Sequence, residues 1–238
     1  MVSIIIGIVL ATGAVVQRSA FDGSVCRRSA PPSMSAERPV VLSKPLGIVL
    51  EECDGRRGVR VQSLIDEGSA SEAGGEVAPG DYVHAVNGVD VRDSDFDTVM
   101  QLLIEGPNEV SLVVDDGIGK LDTSPNLAKS LALEDAVLAD EVVRAAVREV
   151  RLSQSARDAL GELLRVEIVL GAGVRDDGRC LVRFFGIFST DGWTASSTYS
   201  CNISATGRRR EGGIQILALS CAKDEGWGRT IDLKREEK

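Results

Sequence analysis

Residues 38–115 read RPVVLSKPLGIVLEECDGRRGVRVQSLIDEGSASEAGGEVAPGDYVHAVNGVDVRDSDFDTVMQLLIEGPNEVSLVVD. The stretch is a run of short strands with two helical pieces inserted. Val40, Val41 and Leu42 mark a first strand and Ile48, Val49 and Leu50 a second. Val59, Val61 and Leu64 mark a third, after the turn signal Asp54-Gly55. SASEAGG predicts a short helix stopped by paired glycines. Pro79-Gly80-Asp81 turns the chain into the strand YVHAVNG, and Asn87-Gly88 is a strong two-residue hairpin turn. Asp93 or Ser94 is placed to cap a helix with Phe96, Val99, Met100, Leu102 and Leu103 at helical spacing. Gly106-Pro107 stops that helix, and EVSLVV closes the sheet.

This order of elements, with PLGI, GDxVxAVNG and VMQLLIEG at these separations, resembles a PDZ domain of the eukaryotic peptide-binding type. The resemblance covers about a third of the chain. It implies a small antiparallel β-barrel with two helices, and a loop that holds the terminal carboxylate of a peptide. Consecutive N–H groups in a glycine-permitted turn point into one concavity and bind an anion. By resemblance the loop is Lys44, Pro45, Leu46, Gly47 and Ile48, with N–H donors from Leu46, Gly47 and Ile48 and a favourable charge from Lys44. Pro45 stands where the family usually has glycine. It lacks an N–H but precedes the donors.

The resemblance further implies that a peptide adds a strand beside Ile48, Val49 and Leu50, with alternate side chains entering pockets. Its terminal side chain would rest on Leu46, Ile48, Met100 and Leu103. Phe96 occupies the helix position that often carries His in the family, and shares a face with Met100. That pair favours an apolar ligand residue two places before the terminus. The plainer alternative is that Phe96 and Met100 are core.

The formal charge of −9 argues against a nucleic-acid partner. Five cysteines without metal-like spacing and a single histidine make no metal site, and no cofactor motif is present. His84, inside YVHAVNG, reads as an exposed strand residue. A trypsin-like protease needs a Gly-x-Ser-Gly-type nucleophile loop together with His and Asp, but the sole histidine sits inside the strand YVHAVNG. A Ser-Lys protease needs far more chain than surrounds Ser130 and Lys129. No phosphate loop, GxGxxG or HExxH occurs, so enzyme activity is not expected.

Residues 2–16, VSIIIGIVLATGAVV, form an apolar run shorter than the roughly 20 residues of a membrane span, and suit the core of a signal peptide. A Ser-, Ala- and Arg-rich stretch follows, in which Asp22 is the only acid before Glu37. The junction Ser19-Ala20-Phe21 is similar to that of bipartite plastid leaders in algae with complex red-derived plastids. A leader over 1–37 directing the protein to a plastid, stroma rather than lumen, is expected. Secretion and an uncleaved anchor are the alternatives.

After residue 115 the stretch 116–126 reads as a linker. Residues 127–151 turn helical, and Leu131, Leu133, Val137, Leu138, Val142, Ala146, Val147 and Val150 mark an apolar stripe that covers a sheet or a partner helix. Ser153 or Ser155 caps a second helix, through Leu160, Leu163 and Leu164. Beyond Arg165 the period switches to two. VEIVLGAGV, CLVRFFGIF, TASSTYSCNISA and GIQILALSCA predict an antiparallel four-stranded meander. The second domain is therefore α+β over 127–235, with helices to 164 and a sheet over 165–233.

Three features there invite a functional reading. Arg208-Arg209-Arg210 binds an anion or is a solvated hairpin tip. Cys180, Cys201 and Cys221 fall in different strands and form one cross-strand disulfide or stay reduced. Phe184, Phe185, Phe188, Trp193 and Tyr199 line a ligand cavity or pack a core. The expected function is a non-catalytic adaptor that binds apolar C-terminal tails, thylakoid membrane proteins among them. The alternative is a lipid- or pigment-binding second domain that the PDZ unit localises.

Overall fold

The computed structural model describes residues 37–53, 58–193, 197–223 and 230–234. The expected leader over 1–37 lies outside the described residues but for Glu37, which opens the first strand.

The first half is a sheet whose strands follow the expected order. β1 (Glu37–Ser43) pairs antiparallel with β6 (Glu109–Asp115), from Glu37 opposite Asp115 to Ser43 opposite Glu109. β2 (Ile48–Glu52) pairs with β3 (Val59–Leu64), and β3 with β4 (Tyr82–Val86). The order is β1-β6-β4-β3-β2, with β5 (Val89–Asp90) beside β4. β1 and β2 end this order. Alternation puts Val40, Leu42, Val59, Val61, Val110, Leu112 and Val114 into one core. Asn87 and Gly88 both have positive φ, 50° and 81°, as a tight hairpin between β4 and β5 requires.

Two helices complete this half. α1 (Ser69–Glu72) follows Gly68, and α2 (Phe96–Glu105) lays Val99 and Leu103 on the core. The cap of α2 is Asp95, whose carboxylate accepts the Thr98 N–H at 2.8 Å, rather than Asp93 or Ser94. A side chain reaches N–H groups two or three residues onward, and the helix starts at Phe96, so Asp95 holds the capping position.

In the second half, residues 127–151 form two helices instead of one. α3 (Pro125–Ser130) and α4 (Leu133–Leu152) are broken at Leu131–Ala132, where the backbone is extended. α5 (Gln154–Leu160) is capped by Ser153, as expected, but ends before Leu163 and Leu164. Gly161 ends it at φ 76°, pressed so close to the Ser189 carbonyl that a Cβ would lie 2.1 Å from that oxygen. Leu163 and Leu164 then open a strand.

The sheet runs β11-β10-β9-β8-β7, all antiparallel: β7 (Glu162–Val174), β8 (Arg179–Ser189), β9 (Thr198–Arg210), β10 (Gly213–Lys223) and β11 (Thr230–Lys234). It has a fifth strand beyond the expected four. β11 pairs with β10, and its alternation is real but only five residues long, with Ile231 and Leu233 reaching the core. α4 packs across one face with Ala139, Val142, Val143, Ala146, Val147 and Val150, all buried, against Val182, Phe184, Ile203, Ala205 and Leu219. Gly207 lets the helix close: a Cβ there would meet both Val142 methyls at 3.2 Å. Each Val buried this way contributes about 1.5–3 kcal/mol. The apolar stripe is thus spent on the chain's own sheet.

The segment 116–126, expected as a linker, is packed. The Val169 N–H donates to Asp122 O (2.8 Å) and the Ser124 N–H to Val169 O (2.9 Å), which ties it to β7. Asp116 is buried, and Arg144 donates to both of its carboxylate oxygens at 3.0 and 2.9 Å. Beside it, Arg151 is buried at the end of α4. Its guanidinium donates to Asp116 O (2.8 Å), Leu163 O (3.1 Å) and Leu164 O (3.3 Å). Trp193 lies between Arg151 and Arg60 of β3, 5.4 and 5.1 Å from ring centroid to guanidinium carbon, and its indole N–H donates to Gln62 O at 3.4 Å. The two halves therefore meet through paired cations, carboxylates and one indole.

Candidate functional site

The loop between β1 and β2 is shaped by where its carbonyls go. Pro45 O accepts the Ser69 N–H (3.1 Å), Leu46 O the Ala70 N–H (3.0 Å) and Gly47 O the Ile65 N–H (2.8 Å). All three carbonyls are thus turned toward the segment that leads into α1. Among the described residues, the Leu46 and Gly47 N–H groups donate to no acceptor. Gly47 has φ 67°, and a Cβ on it would lie 2.4 Å from Gly68 Cα. A Cβ on Gly68 would likewise lie 2.2 Å from Gly47 Cα. Two glycine backbones in contact are what allow the turn. Unpaired consecutive amides beside an apolar surface form an anion hole suited to one carboxylate. Ser69 braces it, donating its hydroxyl to Ser43 O at 2.6 Å.

β2 ends the strand order, so its outer edge is open to a further strand. α2 packs on the same core as this strand. Leu46, Ile48, Leu50, Phe96 and Met100 are half-buried and pack on the core from its rim, and Leu103 is buried. Val49 is half-buried as well, and its register partner is Ser63. A β-bulge between Val49 and Leu50 bends the strand there. Apart from Val49, the apolar residues expected to line a groove therefore share one core cluster.

Lys44 is placed differently from expectation. Its ammonium donates to Ile104 O (3.0 Å) and Gly106 O (2.8 Å), satisfying carbonyls at the C-terminal end of α2. Those carbonyls carry the negative end of the helix dipole, which draws the cation. Lys44 ties β1 to α2, and Pro45 is exposed. What the sequence reading missed is Gly68 with Ile65, Ser69 and Ala70, which hold the loop from behind. The signal was a lone glycine ahead of SASE, visible only once its contact with Gly47 is known.

A family model described as PDZ domain matches residues 34–115. Those residues form a PDZ domain. Solved structures similar to this part include the second PDZ domain of Dlg1 from the choanoflagellate Monosiga brevicollis, 22% identical, which covers 33% of this chain and 90% of that one at a TM-score of 0.31. The third PDZ domain of the same protein is 24% identical, covering 35% of this chain and 90% of that one at a TM-score of 0.31. The PDZ domain of choanoflagellate GIPC is 22% identical, covering 36% of this chain and 96% of that one at a TM-score of 0.32. No curated protein matches the chain. PDZ domains are interaction modules that bind C-terminal peptides of partner proteins.

Other singled-out residues take separate places. His84 Nδ1 lies 2.9 Å from the Glu37 carboxylate. Phe184 and Phe188 are in the second core, Phe188 stacking on Tyr199 at 6.1 Å, while Trp193 faces the PDZ domain. Phe185 alternates to the opposite face of β8, so these aromatics share no single cavity. Cys53, Cys180, Cys201 and Cys221 are buried. The register sets Cys180 opposite Gly207, Cys201 opposite Gly186 and Cys221 opposite Ile203, which leaves no cross-strand disulfide. Among the described residues no cluster of His, Cys, Asp or Glu is placed to hold a metal, and no helix is long and apolar enough to cross a membrane.

Proposed function

We propose that this chain is a non-catalytic adaptor whose PDZ groove takes the apolar C-terminal tail of a partner protein. The observation that carries this reading is the loop at Leu46–Gly47, whose carbonyls are all engaged from behind while its amides have no acceptor among the described residues. The open edge of β2 supplies backbone pairing for the residues upstream. Phe96 and Met100 supply an apolar wall, which selects an apolar side chain two places before the terminus. A partner residue with Ser or Thr at that place would leave a hydroxyl against Phe96 with nothing to bond.

The leader-like composition of residues 1–36 supports a plastid setting, where tails of thylakoid membrane proteins are natural ligands. A tagged full-length chain seen outside the plastid would remove that setting and leave the groove standing.

The test of the groove is a titration with short peptides ending in Val, Leu or Ile, each as free acid and as C-terminal amide. The expected outcome is binding on the order of micromolar by the acids and none by the amides. Equal binding of acid and amide would mean that the loop does not hold a carboxylate.

A further inference from the structure

The triplet Arg208-Arg209-Arg210 is divided by strand alternation. Arg209 points to the helix-covered face, where its guanidinium donates to the Glu141 carboxylate of α4 at 2.6 Å. Arg208 and Arg210 point to the other face of the sheet. There the Gln215 carbonyl oxygen accepts the Nε–H of both, at 3.2 and 3.4 Å. The two guanidiniums are thereby fixed side by side, with their terminal N–H groups left over.

β8 adds to the same face. Arg179 stands directly opposite Arg208, and Arg183 opposite Ser204, with Leu181 and Thr206 paired between them. Arg179 is neutralised by Asp177 at 3.1 Å. Among the described residues Arg183, Arg208 and Arg210 have no ion pair. Like charges directly opposite on neighbouring strands destabilise a sheet. A cluster of this kind inside a chain of formal charge −9 is complementary to an anion that the fold itself does not supply.

We propose that this arginine face binds an acidic segment of a protein partner, its Asp, Glu or phosphorylated side chains engaging Arg183, Arg208 and Arg210. The flanks decide against other polyanions. The two hairpin tips at this end carry Asp176, Asp177 and Glu211, and Leu181 is exposed between Arg179 and Arg183; acidic tips beside a single leucine do not suit an anionic membrane surface. Glu167, by Ser200, and Asp232, opposite Ser220, stand on the same face and bound the basic stretch, which is therefore short and suits a few acidic side chains rather than a long nucleic-acid backbone. The site lies at the end of β8 away from Trp193, about 30 Å along the strand. It therefore leaves the PDZ groove free and does not depend on it.

The test is fluorescence anisotropy of the full chain with a labelled octaglutamate whose C-terminus is amidated, so that the carboxylate loop takes no part. Wild type is expected to bind at low salt. Arg208→Gln with Arg210→Gln is expected to weaken binding at least tenfold, while Arg209→Gln stays within about twofold of wild type. Thermal melts check that each variant folds. If the double variant does not fold, Arg183→Gln carries the test, with a loss of at least threefold expected. The proposal is overturned by absence of binding, by an equal loss in Arg209→Gln, or by tighter binding of a single-stranded RNA of the same charge or of phosphatidylserine vesicles.

Discussion

The two halves of this molecule bury apolar residues equally well, yet they specify themselves by different means. In the PDZ half the decisive geometry is in the backbone. Gly47 takes a left-handed turn in contact with Gly68, three carbonyls face backward, and two amides are left over. Such a site tolerates few residues at fixed positions. In the second half the decisive geometry is in side-chain packing, where α4 covers β7 to β10 with small and branched residues. Apolar residues of similar volume replace one another there at small cost. A backbone site leaves a positional motif in the sequence, whereas a packed helix on a sheet leaves only a period.

The largest effect is expected where the halves join. Arg151 is wholly within the protein and satisfies the carbonyls of Asp116, Leu163 and Leu164, while its guanidinium covers the Trp193 ring. Burial works against its charge, and the Asp81 and Asp116 carboxylates nearby offset that cost. Arg151→Leu removes the cation and strands three carbonyls, at a cost of about 3–5 kcal/mol. Denaturant melts are expected to show one transition in the wild type and two in the variant, the two halves unfolding apart. A single transition displaced by less than about 1 kcal/mol would mean that the junction does not couple them.

Arg151 also marks where the sequence stopped being informative. It ends a helix whose apolar stripe is plain, and a basic residue in a last turn ordinarily reads as a solvated partner of the helix dipole. Nothing local announces that three distant carbonyls and an indole surround it. The same holds for Gly68, whose role depends on Gly47, and for β11, whose five residues gain significance only beside β10. The PDZ strands, the Asn87-Gly88 turn and the helix that carries Phe96, Met100 and Leu103 were legible because each is a local pattern in a known order. Lys44 was placed at the loop by adjacency, and the structure gives its ammonium to the end of α2 instead.

The next effect, smaller in stability but complete in function, is expected at Gly47. A methyl group there is forced into a left-handed turn and 2.4 Å from Gly68 Cα. Gly47→Ala should cost about 2–3 kcal/mol and abolish binding of acid-ended peptides. Binding of the amidated acidic peptide to the arginine face should be unchanged, since that face lies in the other half. Retained affinity for acid-ended peptides in a folded Gly47→Ala chain would mean that the amides of this turn are not the donors.

The smallest effect concerns the thiols of the second core, and it separates packing from chemistry there. Cys180 and Cys221 face α4 from β8 and β10. Burial pushes the Cys180 thiol up to about 11, with Asp135 adding to the rise, and pushes Cys221 up to about 12, with Cys201 adding to it. Both values lie above the ordinary thiol value of 9.0, so the fold favours the neutral form more than the unfolded chain does. The resulting stability is fully present below pH 9 and is lost as pH rises through 11 and 12. Urea midpoints should therefore show no pH dependence from these thiols near neutral pH and a decline that begins above about pH 9. The double variant Cys180→Ala, Cys221→Ala should start lower because two sulfurs are gone from the core, and should decline less over the alkaline range. The wild-type thiols should also resist a thiol reagent at pH 8 until urea unfolds the chain. Equal alkaline decline in both proteins would assign the loss to other groups. Rapid labelling of the native chain would show that α4 opens from the sheet readily, and that the packing of the second half is looser than that of the first.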